Sequence, residues 1–324
     1  MRGISRIGSL AALTAVIALG ASSSAFATGA SDQYMDLTGA VNPNNLPPAS
    51  GAAKGVNLLL QPQWLNNPDI DSPIPAEGAE EIRLDIDDDV LLQTKKLPTC
   101  NADPTALGSA TTAQAIALCG GNTQVGSGAA KIRYSGFAAL DPLNNQVDFT
   151  VTAFNGPPSV AGPSECADTN LGGPFNCEWV GGDPTLYLHA YNQATSQSSL
   201  VRGEIQDAGD GTLPGTGTPA IAAGYNQRLA VTDGTDVAGD AGAVSLFNAV
   251  VGKAYKYKKG TKTIKANYVS ARCDTADDVD PVVPGTQAGL KFKGETVYDD
   301  DETHGGASPS IDTDSTFQLC SPTG

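Results

Sequence analysis

The chain has 324 residues, enough for a large core in one all-β domain or in two smaller ones. Its 35 acidic and 19 basic residues give a formal net charge of −16, which disfavours nucleic acid and anionic membranes as partners. Glycine and proline contribute 37 and 21 residues, an excess that predicts many turns and few helices.

The first 27 residues have the pattern of an export signal. Arg2 and Arg6 precede an apolar stretch over residues 7–21, and Ala-Phe-Ala at 25–27 offers a signal-peptidase site. The stretch is shorter than the roughly 20 apolar residues that a membrane span needs. Because no arginine pair precedes it and no cysteine lies near the cleavage site, we predict general secretion without a lipid anchor.

The mature chain is predicted to be secreted and extracellular, without a wall-sorting tail. Residues 213–217 spell the LPxTG sorting pattern, but more than a hundred residues follow it with no apolar span, so we interpret it as a loop. We predict a flexible N-terminal arm over 28–54, because this segment is poor in apolar residues. A single β-sandwich domain over 55–324 is favoured, with a split near the Gly/Pro-rich segment 207–224 as the alternative.

Short alternating runs, separated by turn residues, indicate strands along the rest of the chain. In 80–86, Ile82, Leu84 and Ile86 alternate with charged residues, which predicts a half-buried strand. Four prolines predict extended coil over 61–78. A short helix, capped by Thr111 or Thr112, is predicted to end at Leu118. Residues 56–60 form an apolar run, and further strands are predicted at 130–134, 147–154, 185–191, 200–205, 228–231, 244–251, 254–257, 263–271, 289–297 and 316–319.

These elements favour an all-β fold, a disulfide-linked antiparallel β-sandwich with long Gly/Pro-rich loops. The cysteine count is even and the export route is oxidising, so we expect disulfides. Pairing of sequence neighbours is the simplest arrangement. A zinc site is disfavoured, because the chain has no CxxC pair and only two histidines. The predicted bridges are Cys100–Cys119, Cys166–Cys177 and Cys273–Cys320.

The segment Leu-Pro-Thr-Cys at 97–100, followed by Cys119 and by Gln-Val-Gly-Ser-Gly from Gln124, resembles part of a group of secreted actinobacterial proteins. Those proteins come from high-GC actinobacteria and are mostly uncharacterised. The Tyr-Val-Ser-Ala-Arg-Cys strand at 268–273, the strand at 291–300 and a terminal cysteine extend the resemblance over roughly residues 80–320. The resemblance implies a disulfide-bearing β protein outside the membrane, and it carries over no catalytic residue.

Two surface features are candidate binding sites. Strand alternation puts Tyr187, His189 and Tyr191 on one face, where aromatic rings suit the apolar faces of sugars. The plainer interpretation is a half-exposed sheet face with cross-strand packing.

The second feature is a lysine-rich segment over 253–265 that is predicted to form a hairpin turning near 259–260. Tyr255 and Tyr257 alternate with Lys256 and Lys258, and Lys262 follows the turn. Lysines on an edge strand deter pairing with other chains, which is one interpretation. The functional interpretation is a patch for an anionic wall polymer or an acidic partner.

No catalytic motif, cofactor or metal site is identified. Serine does not occur in a G-x-S-x-G turn, and the aspartate clusters lack EF-hand spacing, so solvated turns explain them better than calcium sites. We therefore predict a noncatalytic extracellular or cell-surface-associated module whose partner is a cell-wall polymer, a glycan or an acidic protein. The alternatives are a carbohydrate-binding protein and a hydrolase with an unrecognised carboxylate pair.

Overall fold

A computed structural model of the protein describes residues 33–66, 79–94, 97–134, 146–159, 162–163, 178–179, 182–207, 221, 224–232, 242–259, 261–273, 289–298 and 311–322. The predicted export signal, Cys166, Cys177 and His304 lie outside these residues, as does most of 207–224.

The described chain contains two short helices among many strands. The helices are α1 (Pro104–Gly108) and α2 (Thr112–Cys119). The strands are β1 (Gln33–Asn42), β2 (Asn45–Leu46), β3 (Lys54–Gly55), β4 (Asn57–Asn66), β5 (Ala79–Asp87), β6 (Val90–Leu92), β7 (Gln124–Tyr134), β8 (Gln146–Asn155), β9 (Gly162–Pro163), β10 (Glu178–Trp179), β11 (Thr185–Asn192), β12 (Gln197–Asp207), β13 (Tyr225–Thr232), β14 (Gly242–Val251), β15 (Ala254–Lys259), β16 (Lys262–Asn267), β17 (Val269–Ala271), β18 (Gly289–Tyr298), β19 (Ile311–Leu319) and β20 (Ser321–Pro322).

One large sheet dominates the fold. It contains 11 strands in the order β1-β4-β14-β7-β8-β11-β12-β13-β5-β18-β19. Each neighbouring pair in it is antiparallel. Smaller sheets are β3-β17-β6, β15-β16, β9-β10 and β2-β20. The predicted all-β, antiparallel, disulfide-linked fold is thereby confirmed, and strands before and after 207–224 alternate within the same sheet.

The sheet curls until its first and last strands, β1 and β19, lie side by side. Asp314 of β19 accepts a hydrogen bond from the backbone N–H of Leu37 (2.7 Å), and Gln318 bonds to the backbone of Val41. Both contacts join residues 277 positions apart, which is the pattern of parallel neighbours. An odd number of antiparallel strands requires this, because the first and last then point the same way. The layers around the core therefore belong to one continuous sheet rather than to two separate sheets.

The inner face of the curled sheet carries the main core. Alternate residues of each strand point inward, as the two-residue repeat of a strand requires. Trp64 of β4 crosses this interior and donates from Nε1 to the hydroxyl of Thr296 on β18 (3.0 Å). The backbone of Gly39 packs directly against the ring of Phe292, where a Cβ would clash. Inward core residues include Leu37, Leu58, Ile132, Val151, Leu188, Ile205, Leu229, Leu84 and Phe292.

The prediction of a flexible arm over 28–54 is wrong for residues 33–42. These residues form β1, which pairs with β4 along its whole length. Met35, Leu37 and Val41 are buried in the core, which explains the order, since their regular alternation outweighs the low apolar content around them. The predicted coil over 61–78 likewise begins too early, because β4 continues to Asn66.

Pro62 lies inside β4 and has no N–H to donate. The missing N–H does not disrupt the ladder between β4 and β14, because Pro62 has no paired residue on β14. The pairing passes directly from Gln63 to Leu60. On the other side, Pro62 pairs with Leu37 of β1. A proline inside a central strand is thus accommodated by a local gap in pairing.

Helix α2 is capped by Thr111, one of the two predicted caps, which forms a capping box. The Thr111 side chain accepts from the N–H of Gln114, whose side chain accepts from the N–H of Thr111. The helix is joined to the preceding segment by the Cys100–Cys119 disulfide, with a Cα separation of 4.5 Å. A second disulfide, Cys273–Cys320, has a Cα separation of 6.0 Å. Two of the three predicted bridges are therefore confirmed, and Cys166–Cys177 stays a prediction.

Candidate functional site

The lysine-rich segment forms the predicted hairpin, in which β15 pairs with β16 and with no other strand of the described ranges. The register places Tyr255 opposite Ala266, and Lys256 opposite Lys265. Tyr255 is buried in the main core cluster, whereas Lys256 and Lys258 are exposed on the opposite face. The predicted alternation is confirmed for these three residues, and the side chain of Tyr257 lies outside the described ones.

Four lysines of the hairpin are exposed among the described side chains, and we call them the lysine face: Lys256, Lys258, Lys262 and Lys265. Lys256, Lys258 and Lys265 share the side opposite Tyr255, whereas the register places Lys262 beside the turn on the Tyr255 side. Lys256 and Lys265 are directly opposite each other across the strands. Like charges in this position oppose strand pairing. None of the four forms an ion pair within the described part of the chain. The arrangement thus concentrates positive charge on one short hairpin.

The sequence around this hairpin excludes acidic residues. Between Asp240 and Asp274 the chain has seven basic residues and no acidic one, although it carries 35 acidic residues in total. Between Asp103 and Lys131, a stretch that contains both helices, it has no charged residue at all. The lysine face therefore belongs to an acid-free region of an acidic protein.

Lys253 joins these two acid-free stretches at the base of the hairpin. Its Nζ donates to the carbonyl oxygens of Gly121 (2.8 Å) and Gln124 (2.7 Å), and it lies 5.4 Å from the centre of the Tyr255 ring. Burial lowers the pKa of Lys253. Burial also raises the pKa of Tyr255 to about 12. Lys253 and Tyr255 thus fix the position of the hairpin, and the exposed lysines project from that base.

The aromatic stripe on β11 is covered rather than exposed. His189 has no exposed surface, and Tyr187 is 5% exposed. Tyr187 packs with Leu107 and Ala115 of the helices, and His189 Nε2 lies 2.8 Å from the carbonyl oxygen of Ala110. The prediction of an exposed sugar-stacking surface is wrong for Tyr187 and His189, because the uncharged helical segment packs on them. Tyr191, at the end of the stripe, is half-buried.

Burial changes the protonation of this covered face. It lowers the pKa of His189, with hydrogen bonds to the backbone of Ala110 and of His189 itself acting the other way. It raises the pKa of Tyr187, which the charge of Arg202 partly offsets. The neutral imidazole is therefore the form that this packing favours.

A buried charge network on β5, β13 and β18 was not predicted from the sequence. Arg228 binds Asp85 through two contacts, Nε to Oδ1 at 2.6 Å and Nη2 to Oδ2 at 3.0 Å. Arg83 lies 3.6 Å from Glu295, which also binds Lys293. The alternation of charged and apolar residues in β5 predicted that the charged side would be exposed. Arg83 and Asp85 on that side are at most 2% exposed. The half-buried strand predicted there is buried on both faces.

This network does not supply the acid that glycoside hydrolysis needs. Burial raises the pKa of Glu295, but the hydrogen bond and charge of Lys293, with the charges of Arg228 and Arg83, lower it overall. A general acid requires the opposite shift, so that it carries a proton at neutral pH. The network is better explained as cross-strand stabilisation.

The described aspartate clusters make backbone and side-chain contacts rather than a cation site. Asp87 accepts from the N–H groups of Asp89 (2.9 Å) and Lys291 (2.8 Å), and Asp89 lies 3.6 Å from Arg272. Across the described ranges, no group of three or more His, Cys, Asp or Glu residues could hold a metal ion. The clusters at 233–240, 277–280 and 299–301 lie outside the described residues.

Comparison with protein families, with curated proteins and with solved structures finds no match to this chain. Among the described helices, none is long and apolar enough to cross a membrane.

Proposed function

We propose that this protein is a secreted, noncatalytic module of the cell surface that binds an anionic polymer through its lysine face. The export-type N-terminus and the two disulfides support an extracellular location. The proposal assigns Lys256, Lys258, Lys262 and Lys265 to the polymer. Tyr255 and Lys253 act as positioning residues beneath them.

The observation that carries the proposal is the segregation of charge. A chain of net charge −16 excludes every acidic residue from 241–273 and places four exposed lysines there. Lys256 faces Lys265 across the hairpin, an arrangement that costs stability when no anion is bound. A bound polyanion would reverse the sign of this contribution, since each ammonium group would then face a negative charge.

The alternative is edge protection, in which the lysines only prevent β15 and β16 from pairing with other chains. A single charged residue on an edge strand serves that purpose. The alternative does not account for the lack of acidic residues over the whole of 241–273. Sugar stacking by Tyr187 and His189 is not proposed again, because both side chains are buried.

Binding to a soluble polyanion, such as long-chain polyphosphate, tests the proposal. We expect the triple variant Lys256→Glu/Lys258→Glu/Lys262→Glu to bind about a hundredfold more weakly or worse, since each lysine near an anionic surface contributes on the order of tenfold or slightly less. Two single variants, Lys256→Glu and Lys131→Glu, serve as test and control, because Lys131 is a partly exposed strand lysine outside the hairpin, with 43% of its side chain accessible. Equal binding by the triple variant and the unchanged protein would leave only edge protection.

A further inference from the structure

The helical segment that lies over β11 is connected to the lysine face through the base of the hairpin. We call residues 104–124 the cover, which contains α1, α2 and the turn that follows them. Just before α2, the carbonyl oxygen of Ala110 lies 2.8 Å from Nε2 of His189. After α2, two carbonyl oxygens of the turn accept hydrogen bonds from Nζ of Lys253. One short helix therefore joins a buried histidine to the hairpin.

Polar and covalent contacts hold the cover on the sheet along its length. Ser198 of β12 donates to the carbonyl oxygen of Gly108 at the end of α1 (2.6 Å). The disulfide between Cys100 and Cys119 attaches the last residue of α2 to the segment before α1. Cys100 in turn donates its N–H to the carbonyl oxygen of Asn155 at the end of β8 (2.7 Å). Because these contacts form one continuous network, a change beneath one end of α2 can reach the other end.

A charge on His189 is unfavourable while the cover is in place. The imidazole has no exposed surface, and burial lowers its pKa. The segment above it, residues 104–130, contains no charged side chain. The cross-strand neighbours of the histidine are the uncharged Thr152 on β8 and Leu200 on β12. None of these neighbours provides a carboxylate to an imidazolium.

The other ionisable groups around the histidine do not compensate such a charge either. Tyr187 and Tyr191 flank it on β11, and burial raises the pKa of Tyr187. Arg202 on β12 lies opposite Tyr187 and adds positive charge. Asp148, near the start of β8, is exposed and lies 3.9 Å from an exposed lysine, and Asp103 is exposed and caps α1. Protonation of the histidine therefore favours release of the cover.

We infer that acid releases the cover and thereby weakens the binding of the anionic polymer to the lysine face. The inference deepens the proposed function and rests on it. With the cover in place, Lys253 fixes the base of the hairpin, so the exposed lysines are in position before the ligand arrives. When the cover is released, Lys253 loses its two acceptors, and the ligand must order the hairpin as it binds, which lowers the affinity. His189 is the group that binds the proton, and Lys253 is the connection to the site.

The direction of this effect distinguishes it from the general effect of acid on an acidic protein. Lower pH makes the net charge of −16 less negative, which by itself would strengthen the binding of a polyanion. The closed cover binds a proton at His189 less readily than an open cover does, so acid shifts the equilibrium toward the open one. The affinity should therefore fall, by about fivefold or more, between about pH 7.5 and pH 5.

Titration of the exported protein, purified from the medium, with long-chain polyphosphate at both pH values tests this inference. His189→Gln removes the titrating group, and glutamine can still donate to the carbonyl oxygen of Ala110. The affinity of this variant at neutral pH should equal that of the unchanged protein, and it should not fall in acid. The chain has only one other histidine, so His304→Gln is the matched control. The control should lose affinity in acid as the unchanged protein does.

A second measurement and a second variant keep the test decisive if His189→Gln folds poorly. Hydrogen exchange of the α2 amides, corrected for intrinsic rates, should become faster relative to that of β7 and β8 when the unchanged protein is brought to acid pH. In Lys253→Met the cover should still open in acid, but the affinity, already weaker at neutral pH, should not fall further. Unchanged exchange of α2 in acid, or loss of the whole fold by circular dichroism, would contradict a release confined to the cover.

The outcomes separate this inference from the proposed function. An equal fall in affinity for the unchanged protein and His189→Gln, or no fall in either, would overturn the inference while the lysine face remains the binding site. Failure of the proposed function has a different signature. In that case the triple variant Lys256→Glu/Lys258→Glu/Lys262→Glu would bind polyphosphate as the unchanged protein does at both pH values.

Discussion

The side-chain amide of Gln318 pairs with both backbone groups of Val41, accepting from its N–H and donating to its carbonyl oxygen (3.0 Å). These two hydrogen bonds replace the backbone hydrogen bonds that a neighbouring strand would supply to β1 in a regular ladder. Asp314 satisfies the N–H of Leu37 in the same way. Side chains therefore close the seam between β1 and β19, where the parallel strands do not form a backbone ladder.

Replacing Gln318 with leucine removes this closure. We expect a loss of about 2 kcal/mol in the free energy of unfolding, because two backbone groups of Val41 lose their partner in a buried position. Urea unfolding followed by circular dichroism measures the change. Gln63→Leu on β4 serves as the control, with a change within about 0.5 kcal/mol. A Gln318→Leu variant as stable as the control would show that the seam does not need this contact.

Breaking the Arg228–Asp85 pair should strongly reduce the free energy of unfolding. Replacing both residues with apolar ones should reduce it much less. Asp85→Asn leaves Arg228 without its charge partner and should cost about 3–5 kcal/mol of unfolding free energy. The double replacement Arg228→Met/Asp85→Leu should recover most of that loss, because no buried charge remains from the pair. The exposed pair Lys131–Asp148, separated by 3.9 Å, is the matched control, and breaking it should cost about 1 kcal/mol or less.

Chemical denaturation at pH 7 distinguishes these outcomes. If Asp85→Asn costs no more than Lys131→Met, the buried network contributes little and the outer face of β5 tolerates charge loss. If the double replacement is as unstable as the single one, packing rather than charge limits this site.

Acid is expected to loosen the helical segment over β11. Burial lowers the pKa of His189 below its usual 6.5, so the unfolded chain binds a proton there more readily than the folded one. The resulting stability is present above the unfolded pKa and is lost as pH falls through the folded pKa. Stability should therefore decrease between about pH 7 and pH 5.

His189→Gln should reduce this pH dependence, since glutamine can donate to the carbonyl oxygen of Ala110 without titrating. Urea midpoints measured across the same pH range test this expectation. NMR titration of the imidazole provides an independent check. A His189 signal that titrates at or above 6.5 would contradict the assignment.

Much of this fold could be predicted because local signals agreed with the tertiary structure. Thr111, one of the two predicted caps, marked the start of α2, and the alternation of Tyr255 with Lys256 and Lys258 gave the correct faces of the hairpin. The strand β1 was missed because its alternating Met35 and Leu37 lie in a segment rich in Gly, Ala and Asn.

Other features depend on packing that no local pattern encodes. Arg83 and Asp85 alternate with apolar residues as on an exposed strand, and only their partners on neighbouring strands reveal a buried network. Tyr187 and His189 gave the same signal as an open aromatic stripe. Their burial depends on α1 and α2, which lie about eighty residues earlier in the sequence.

The two disulfides should differ in their contribution to stability. Cys100–Cys119 closes a loop of 19 residues and Cys273–Cys320 one of 47. The chain-entropy argument gives about 3 and about 4 kcal/mol, so the second bridge should stabilise more. Paired alanine substitutions and urea unfolding measure each contribution. A larger loss from the shorter loop would show that the reduced chain retains structure near α2.

Nonreducing peptide mapping tests the predicted bridge between Cys166 and Cys177. A peptide that joins either cysteine to a different partner would contradict the predicted connectivity.

The dependence of polyphosphate binding on salt tests the role of the lysine face most directly. Exposed charges are screened beyond about 8–10 Å at physiological ionic strength, so affinity should fall steeply between about 50 and 500 mM salt. We predict a shallower salt dependence for Lys256→Glu and an unchanged one for Lys131→Glu, measured by titration calorimetry. Identical salt dependences for the two variants, or binding by the unchanged protein that does not respond to salt, would contradict the assignment of this surface to an anionic ligand.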